Sequence, residues 1–470
     1  MKKTKMIITI GPSSMDIDIL REMVLKGVDV VRINLSHADF KFCDEAILKV
    51  RKLERELNRP IGIMLDTDGP SVRLDKFIEG KATLEVGKIV KLYGYPVICN
   101  NTQFSVNYEK MLDEIEVNDE LLLSDGAVIL KVQELHNDYA LLEVIVGGDI
   151  KSNQTVHIKN KSFKMPFVSK KDYDGIIYGI KNNVDFLALS YVRTEQDVLE
   201  IADILIENDN NHINIISKIE NSSALENLDE IAKISDGLMV ARGDLGIEMS
   251  LEKLPFFQKQ IIKKALEYEK TSIVATDFLL SMEENMRPAR SEVSDIYNAV
   301  MDKCDAIMLS GETTIGKHPI EVVETMTKTL MSAEEDFDYN ANLEETLNNI
   351  KNDITSNIAY SVVSSSMRLH ASAIITNTNS GYTAFQISHY KPVCPILGLS
   401  PIMETTRLLT INYGVIPILS NECKSTDTIV NMCTRKAVEY LHLEGGEVVV
   451  ITGGFPIHTK NTNFMKIEVI

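Results

Sequence analysis

The stretch "NIISKIEN", residues 214–221, decides the fold, because it ends an apolar run on two opposite charges. Its first half is apolar and β-branched, which favours a buried strand. Lys218 and Glu220 follow two positions apart, so a strand presents both side chains on one face. Because buried charges need partners or a metal ion, we expect charged groups from neighbouring strands to meet this pair.

Strand and helix patterns alternate on both sides of this stretch. Helical patterns such as "MDIDILREMVLKG" and "SEVSDIYNAVMDK" separate the apolar runs. Such alternation is typical of parallel strands, and eight strand–helix units in sequence predict a TIM (β/α)8 barrel. The predicted strands lie in "KMIITIGP", "GVDVVRINLSH", "PIGIMLDTDGP", "VDFLALSYV", "INIISKIE", "DGLMVARGD", "TSIVATD" and "CDAIMLSGE".

Two other regions depart from this alternation. Between Ser71 and Pro166 the strand patterns are short and no long helix is indicated, which predicts a small all-β domain inserted into the barrel. After the acidic stretch "SAEEDFDYNANLEETLNN", four apolar runs with intervening helices predict an open α/β domain. We therefore predict a barrel over residues 1–68 and 167–335, an inserted all-β domain over 69–166 and a C-terminal α/β domain over 336–470.

Composition excludes several classes of function. The formal net charge of −19 argues against broad binding to nucleic acid or to anionic membranes. No stretch is long and apolar enough to cross a bilayer, and the N-terminal segment lacks a secretory core. The cysteines show no CxxC spacing and are interpreted as reduced, buried thiols of a cytoplasmic protein; they are Cys43, Cys99, Cys304, Cys394, Cys423 and Cys433.

Polar and charged side chains follow seven of the eight predicted strands, at the face where TIM barrels carry their active sites. Any one of these residues could be a structural ion pair or a strand-end cap, but charges that converge from several strands favour a functional site. The residues are Arg32, Asn34, Ser36, Asp66, Thr67, Ser190, Arg193, Lys218, Glu220, Arg242, Asp244, Thr276, Ser310 and Glu312.

The chemistry of this set points to phosphoryl transfer. Glu220 and Asp244 are carboxylates without His or Cys neighbours, which suits Mg²⁺ or Mn²⁺ rather than zinc. Lys218, Arg32 and Arg73 are cations suited to phosphates. Together they indicate the transfer of a phosphoryl group on a small anionic substrate.

Two further patterns add candidate ligand sites. In "ARGDLG", Gly243 and Gly246 flank Asp244, and such a turn can direct backbone N–H groups at an anion such as a carboxylate. Asn34, Ser36, Asp66 and Thr67 supply oxygen ligands. They form either a monovalent-cation site or a hydrogen-bonded cluster at the strand ends, with equal support from the residues alone.

These motifs, in this order, resemble the pyruvate kinase family. The resemblance extends through nearly all 470 residues and rests on "TKMIITIGPSS", "VVRINLSHAD", "IISKIEN", "DGLMVARGDLGIE", "RPARSEVSDIYNAV" and "AIMLSGET". The combination of "ISKIEN" with "MVARGDLG" is highly specific. The resemblance implies transfer of phosphate from phosphoenolpyruvate to ADP, which yields pyruvate and ATP, and it implies a homotetramer. It also implies that the inserted domain is a small β-barrel lid and that the C-terminal domain carries an effector site.

The resemblance also implies roles for individual residues. Glu220 and Asp244 would hold the divalent metal, Lys218 would neutralise the phosphoryl group in flight, and Arg32 would contact the phosphates. The backbone of Gly243 and Asp244 would hold the substrate carboxylate. Thr276 would lie where the enolate is protonated, with Ser310 and Glu312 supporting a water relay. The potassium site would comprise Asn34, Ser36, Asp66 and Thr67, and the nucleotide site Asn34, His37 and Arg73.

Departures from the family pattern cluster on the nucleotide side. The chain has "DTDGPSVR" where the family usually has "DTKGPEIR", so Asp68 replaces a lysine and Ser71 an acidic residue associated with potassium dependence. Thr67 still favours potassium. Asp277 stands where glutamine is common, and "KSNQTVHIKN" in the lid places Gln154 near the position of a nucleotide-contacting lysine. The metal and phosphoryl residues are unchanged.

In the last domain, "TNSGYTA", residues 378–384, resembles a loop that binds the phosphate of an effector. Thr378, Ser380, Gly381 and Thr383 could cradle a phosphate at a helix start. We expect "TGG", residues 452–454, to follow the last apolar strand and to face that loop. A capped loop without a ligand is an alternative of nearly equal weight.

Three hypotheses for the function follow. The first is a working pyruvate kinase. The second is a divergent paralogue that binds phosphorylated metabolites with weak turnover, which the altered lid and Asp68 motivate. The third is a metal-dependent lyase of pyruvate or oxaloacetate, against which Lys218 and Arg32 argue, because carbon–carbon cleavage needs no cations for a phosphoryl group.

Overall fold

Eight parallel strands close into a barrel in the computed structural model, which describes residues 1–159, 161, 163–347, 350–422, 425–454 and 461–470. Each strand pairs with the next in chain order, and the last pairs with the first. The predicted TIM barrel is therefore confirmed. Its strands are Lys5–Thr9, Val30–Asn34, Gly62–Asp66, Phe186–Leu189, Asn214–Ile219, Gly237–Ala241, Thr271–Ala275 and Ala306–Leu309.

Helices surround the barrel and pack their apolar faces on its outer side. The first helix shows how sequence sets the boundaries: the Asp16 carboxylate accepts hydrogen bonds from the N–H groups of Asp18 and Ile19, and Gly27 ends the helix at φ 131°. The principal helices are Ile17–Lys26, Phe40–Leu57, Lys170–Lys181, Glu195–Glu207, Leu228–Ile234, Leu254–Glu267, Arg290–Met301 and Pro319–Asp336. Shorter helical segments are Ser222–Glu226, Arg242–Glu248, Leu251–Lys253, Leu280–Glu283 and Gly311–Thr314.

Apolar side chains fill one end of the barrel interior. Val30, Met64 and Ile216 belong to this inner cluster, and each lies two residues before a polar residue of the same strand. Because side chains two apart share a strand face, Arg32, Asp66 and Lys218 point into the barrel at its C-terminal end. The apolar side chains thus fill the N-terminal end of the barrel, and the polar groups gather at the C-terminal end, the mouth of the barrel.

The inserted domain is all-β, apart from one helical turn at Met111–Glu114. A six-stranded sheet and a two-stranded sheet share one apolar core. The strands are Lys81–Leu84, Ile89–Tyr93, Gln103–Ser105, Glu120–Leu123, Val128–Leu135, Tyr139–Val146, Gly148–Lys151 and His157–Ile158.

The C-terminal domain is an α/β sheet with helices on both faces, as expected from its sequence. Four parallel strands match the four predicted runs: Ala373–Asn377, Ile396–Ser400, Val415–Leu419 and Val448–Gly453. A fifth strand, Phe464–Val469, pairs antiparallel at one edge and escaped the sequence analysis because its outer positions carry Lys466 and Glu468. The helices are Tyr339–Leu347, Ile354–Arg368, Tyr382–His389, Met403–Leu408, Leu409–Ile411 and Thr426–Leu441.

The barrel and the C-terminal domain meet at the end of the barrel away from the polar mouth. Ile411 of the C-terminal domain joins the cluster inside the barrel. Arg407 donates two hydrogen bonds to the Glu54 carboxylate, and Lys391 lies 2.7 Å from Asp305 Oδ1. These buried pairs fix how the two domains dock.

Within the described residues, no helix combines the length and apolar character needed to span a membrane. Five cysteines are buried, as the sequence predicts: Cys43, Cys99, Cys304, Cys394 and Cys433. Cys423 lies outside the described residues. Burial raises the pKa of the Cys43 thiol to about 11, so that thiol stays protonated at neutral pH.

Candidate active site

Asp66 is the centre of the charged cluster at the barrel mouth. Its Oδ2 atom accepts a hydrogen bond of 2.6 Å from Arg32 Nε, and its Oδ1 atom accepts one of 3.1 Å from Lys218 Nζ. Ser190 Oγ donates to the same Oδ1 at 3.0 Å and accepts from Lys218 at 2.7 Å. Thr9 Oγ1 accepts from Arg32 Nη1 at 2.9 Å. Both predicted phosphate-binding cations are therefore fixed by one carboxylate.

The two predicted metal carboxylates face each other across Tyr191. The backbone N–H of Tyr191 donates to Glu220 Oε2 at 2.5 Å, and its phenol donates to Asp244 Oδ1 at 3.0 Å. Lys218 Nζ lies 2.9 Å from Glu220 Oε1. The carboxylates, the lysine and the tyrosine thus form one connected group.

Burial sets the ionisation of this group. It raises the pKa of Glu220 to about 7, Lys218 opposes the rise, and the nearby Asp244 charge adds to it. Burial lowers the pKa of Lys218, but Asp66 and Glu220 outweigh it and the net shift is upward, so the ammonium stays charged. Burial beside Asp244 raises the pKa of Tyr191 well above its usual range, so its phenol remains a donor.

The pair Glu220 and Asp244 fits a hard divalent cation. In the part of the chain that the structure describes, Glu220 Oε1 is buried without a hydrogen bond of acceptable geometry, despite its ion pair with Lys218. The described residues contain no group of three or more His, Cys, Asp or Glu side chains arranged for a metal. A site with two carboxylates suits Mg²⁺, which keeps water and substrate oxygens in its shell.

Thr276 occupies a strained turn beside the metal carboxylates. Its φ is 71° and that of Asp277 is 56°, both in the left-handed region, which a β-branched side chain such as that of Thr276 rarely adopts. Thr276 Oγ1 accepts the N–H of Gly243 at 2.9 Å. Arg242 donates hydrogen bonds to the carbonyls of Ala275 and Thr276 and so stabilises the turn. The N–H of Gly243, expected to face a substrate carboxylate, is thus directed at Thr276.

Ser310 and Glu312 lie at the end of the eighth strand, as predicted. The Glu312 carboxylate accepts from the N–H groups of Ser310 at 2.7 Å and of Leu279 at 3.1 Å. Thr314 Oγ1 donates to the Ser310 carbonyl at 2.6 Å. Glu312 is buried and joins two loops of the mouth.

The four predicted potassium ligands lie close together on neighbouring strands. Asn34 and Asp66 are register partners, and the Asn34 Oδ1 atom accepts the N–H of Ser36 at 3.1 Å. Thr67 follows Asp66 and is buried. Ser36 Oγ donates to Asp68 at 2.9 Å, so the hydroxyl oxygen keeps acceptor capacity for a cation.

Asp68 is the centre of the charged group on the predicted nucleotide side. Its carboxylate accepts from Arg73 Nη2 at 2.8 Å and from Lys171 Nζ at 3.0 Å. These bonds lower the pKa of Asp68 against the opposing effect of burial. His37 is half-buried, and burial together with the charge of Arg73 lowers its pKa. The residue that departs from the family pattern therefore pairs with a predicted nucleotide contact.

The predicted effector loop lies before the helix Tyr382–His389 in the C-terminal domain. Gly381 has φ 83°, and its N–H donates to Thr378 Oγ1 at 3.0 Å. Thr383 Oγ1 lies 2.8 Å from Thr462 Oγ1, and Ser380 lies next to the glycine turn. Thr452 and Gly453 belong to the neighbouring strand, with Gly453 paired to Asn377, rather than following that strand as expected.

Sequence reasoning missed several residues of the site. Tyr191 was overlooked between Ser190 and Arg193, although it follows the fourth strand. Asp172 accepts the N–H groups of Asp68 and Gly69, and Lys171 pairs with Asp68. The position of "SY" at a strand end was a usable signal for Tyr191, but nothing in the sequence shows the contacts that it makes.

The fold and the mouth together define an α/β-barrel enzyme with cations for an anionic substrate and carboxylates for a divalent metal. Family models match two parts of the chain: "Pyruvate kinase, barrel domain" over residues 1–323 and "Pyruvate kinase, alpha/beta domain" over residues 356–468. The chain belongs to the pyruvate kinase family.

Individual relatives agree with the family models. The chain is 39% identical over 474 residues to a pyruvate kinase of Clostridium perfringens, with both chains fully covered. It is 37% identical to one of Sporosarcina psychrophila, covering all of this chain and 81% of that protein. A crystal structure of a pyruvate kinase from Cryptosporidium parvum superposes with a TM-score of 0.93 at 32% identity, covering 100% of this chain and 96% of that one.

Proposed function

We propose that this chain transfers the phosphoryl group of phosphoenolpyruvate to ADP, yielding pyruvate and ATP in glycolysis. The meeting of Lys218 and Arg32 with the carboxylates Glu220 and Asp244 at the barrel mouth carries the proposal. A reaction that moves one highly charged group needs positioning and charge neutralisation more than covalent chemistry. The chain is 37–39% identical to proteins named pyruvate kinase, which argues against the alternative of a divergent paralogue with weak turnover.

Lys218 and Arg32 bind the phosphoryl oxygens in this proposal. Asp66 holds both cations near one point before substrate arrives, so little reorganisation is needed when charge moves. Ser190 fixes the ammonium from a second direction. The cations therefore stabilise the transferring group in line between donor and acceptor.

The divalent cofactor is Mg²⁺ or Mn²⁺, held by Glu220 and Asp244. When bound, the ion supplies electrostatic stabilisation of the substrate oxygens. The ammonium of Lys218, 2.9 Å from Glu220 Oε1, opposes the burial that raises the pKa of this carboxyl, and it holds the carboxylate in place for that ion. Asn34, Ser36, Asp66 and Thr67 are proposed to hold K⁺, with their oxygens on neighbouring strand ends as support.

Thr276 faces the enolate that remains after the phosphoryl group leaves. Its hydroxyl, held by the Gly243 N–H, lies where a proton can reach the substrate, and Ser310 with Glu312 supports a water relay. The backbone of Gly243 and Asp244 would bind the substrate carboxylate. This requires the Gly243 N–H to be shared between Thr276 and the substrate.

Several finer assignments belong to the same proposal. The nucleotide lies beside Asn34, His37 and Arg73, and a phosphorylated effector binds at Thr378, Ser380, Gly381 and Thr383. The barrel covers residues 1–68 and 167–335, the lid 69–166 and the C-terminal domain 336–470. The lid has an apolar core of its own, and separate apolar clusters surround the barrel and cover the two faces of the C-terminal sheet, which supports this division. We propose a cytoplasmic homotetramer.

Phosphorus NMR tests the proposed reaction directly. Purified protein mixed with phosphoenolpyruvate, ADP and Mg²⁺ should convert the phosphoenolpyruvate resonance into the γ-phosphate resonance of ATP. Inorganic phosphate as the sole new signal would contradict phosphoryl transfer to ADP.

A further inference from the structure

Tyr191 makes hydrogen bonds to both candidate metal carboxylates. Its backbone N–H donates to Glu220 Oε2 at 2.5 Å, and its phenol donates to Asp244 Oδ1 at 3.0 Å. Glu220 and Asp244 come from different strand ends, so a single residue of a third strand end bridges them. A group that holds two metal ligands at once constrains the distance between those ligands.

The backbone of Tyr191 adopts an unusual conformation. Its φ is 57°, in the left-handed region that bulky side chains rarely adopt. Such conformations persist where the surrounding structure imposes them, and they concentrate at functional sites. Here the conformation brings the N–H to one carboxylate while the ring reaches the other.

The lid domain holds the ring of Tyr191 from its other side. The His157 ring lies 6.1 Å from the Tyr191 ring, centroid to centroid, at an interplanar angle of 49°. His157 Nδ1 lies 3.5 Å from Glu248 Oε1, on the helix that also carries Asp244. The aromatic ring is thus packed between the barrel mouth and the lid, which limits the positions open to its hydroxyl.

We propose that Tyr191 is a positioning residue for the divalent metal, which presets Glu220 and Asp244 through its N–H and its phenol. The inference rests on the proposed function, in which these carboxylates hold the ion. The N–H occupies Glu220 Oε2, whereas Oε1 makes an ion pair with Lys218 Nζ at 2.9 Å and, within the described structure, lacks a hydrogen bond. Groups that orient metal ligands typically contribute 10- to 100-fold, roughly, to metal affinity.

The test measures Mn²⁺ binding without turnover, by electron paramagnetic resonance of free Mn²⁺ with no substrate present. Tyr191→Phe keeps the ring and removes the donor to Asp244, so its Mn²⁺ affinity should fall by about tenfold. Tyr178→Phe is the matched control, because Tyr178 donates to the Asp44 carboxylate at 2.6 Å, outside the site. Its affinity should equal that of the unmodified protein.

A double-mutant cycle shows whether Tyr191 acts through Asp244. In Asp244→Asn protein the further change Tyr191→Phe should alter Mn²⁺ affinity by less than about twofold. The double variant remains informative if the Tyr191→Phe single variant folds poorly. In the double variant both hydrogen-bond partners are removed, so no buried charge is left without its donor. Circular dichroism and thermal unfolding establish the folded state of each variant.

Two results would overturn the proposal. The first is unchanged Mn²⁺ affinity in folded Tyr191→Phe protein. The second is that Tyr191→Phe lowers Mn²⁺ affinity equally in the unmodified protein and in Asp244→Asn protein. Either would leave the proposed function intact. If Asp244→Asn itself bound Mn²⁺ normally, the metal assignment of the proposed function would be wrong as well, and the inference would fall with it.

Discussion

The ammonium nitrogen of Lys218 lies 3.1 Å from Oδ1 of Asp66, although the two residues are 152 positions apart in the chain. Asp66 also accepts the Nε–H of Arg32, so one buried carboxylate holds two buried cations side by side. Without it the cations would repel each other and stay poorly placed in a medium of low polarity. The pairing explains how the mouth can present two positive groups to a phosphoryl group.

Lys218→Met should abolish phosphoryl transfer while leaving the fold intact. The methionine keeps most of the apolar volume, and Arg32 still pairs with Asp66. Loss of one preorganised charge should lower kcat by at least about 100-fold. Steady-state kinetics measure the loss, and circular dichroism checks the fold.

Lys233→Met is the matched control for that variant, because Lys233 pairs with Glu230 on the outer surface of the barrel. Its turnover should match that of the unmodified protein. Turnover near normal in Lys218→Met would remove the role assigned to Lys218.

Thr276→Ala should lower kcat by about 100-fold with little change in the KM for phosphoenolpyruvate. The hydroxyl is assigned to the protonation step, which follows substrate binding. Thr276→Ser, which keeps the hydroxyl that accepts the Gly243 N–H, should retain most activity. Exchange of the methyl protons of pyruvate with deuterated water, followed by proton NMR, isolates this step; unchanged exchange in the alanine variant would be evidence against the assignment.

Asp68→Asn should lower the KM for ADP by about twofold to fivefold and leave the KM for phosphoenolpyruvate unchanged. The carboxylate neutralises Arg73 and Lys171, so its removal makes the nucleotide side more positive. The effect should shrink at high salt, because these groups are partly exposed.

Asp174→Asn is the control for this variant, because Asp174 is exposed on the next helix. A higher KM for ADP in Asp68→Asn would show that the ion pair between Asp68 and Arg73 positions Arg73 instead.

Arg407→Ala should destabilise the docking of the C-terminal domain on the barrel. Arg407 donates to both oxygens of Glu54, at 2.9 and 2.6 Å, and Glu54 is buried. Removing one partner of a buried pair costs about 3 kcal/mol of unfolding free energy, which should lower the thermal midpoint measurably. Arg55→Ala, an exposed arginine on the same barrel helix as Glu54, should leave the midpoint unchanged. Equal midpoints for both variants would show that the pair does not stabilise the interface.

The barrel and much of its mouth could be predicted because each strand carries its own signal. Lys218 and Glu220 follow an apolar run, and the period of two places them on one face without knowledge of the rest of the chain. The order of eight such units along the chain then determines which strands are neighbours in the barrel, and so which strand ends lie side by side. The antiparallel strand Phe464–Val469 carried no comparable signal, because an edge strand is half exposed.

The contacts between strand ends could not be predicted in this way. The pairing of Asp68 with Lys171 joins residues on either side of the inserted lid, 103 positions apart. The bridge from Tyr191 to Glu220 and Asp244 depends on a left-handed φ that the sequence does not indicate for a tyrosine. Such relationships arise from the closed barrel and not from local pattern.

Pyruvate formation coupled to lactate dehydrogenase and the oxidation of NADH is the most direct measurement of the central claim. NADH should be consumed when phosphoenolpyruvate, ADP and Mg²⁺ or Mn²⁺ are all present, faster with K⁺, and consumption should stop when EDTA removes the divalent ion. No NADH oxidation with either ion, with and without K⁺, or pyruvate release that needs no ADP, would contradict the assignment of this chain as a working pyruvate kinase.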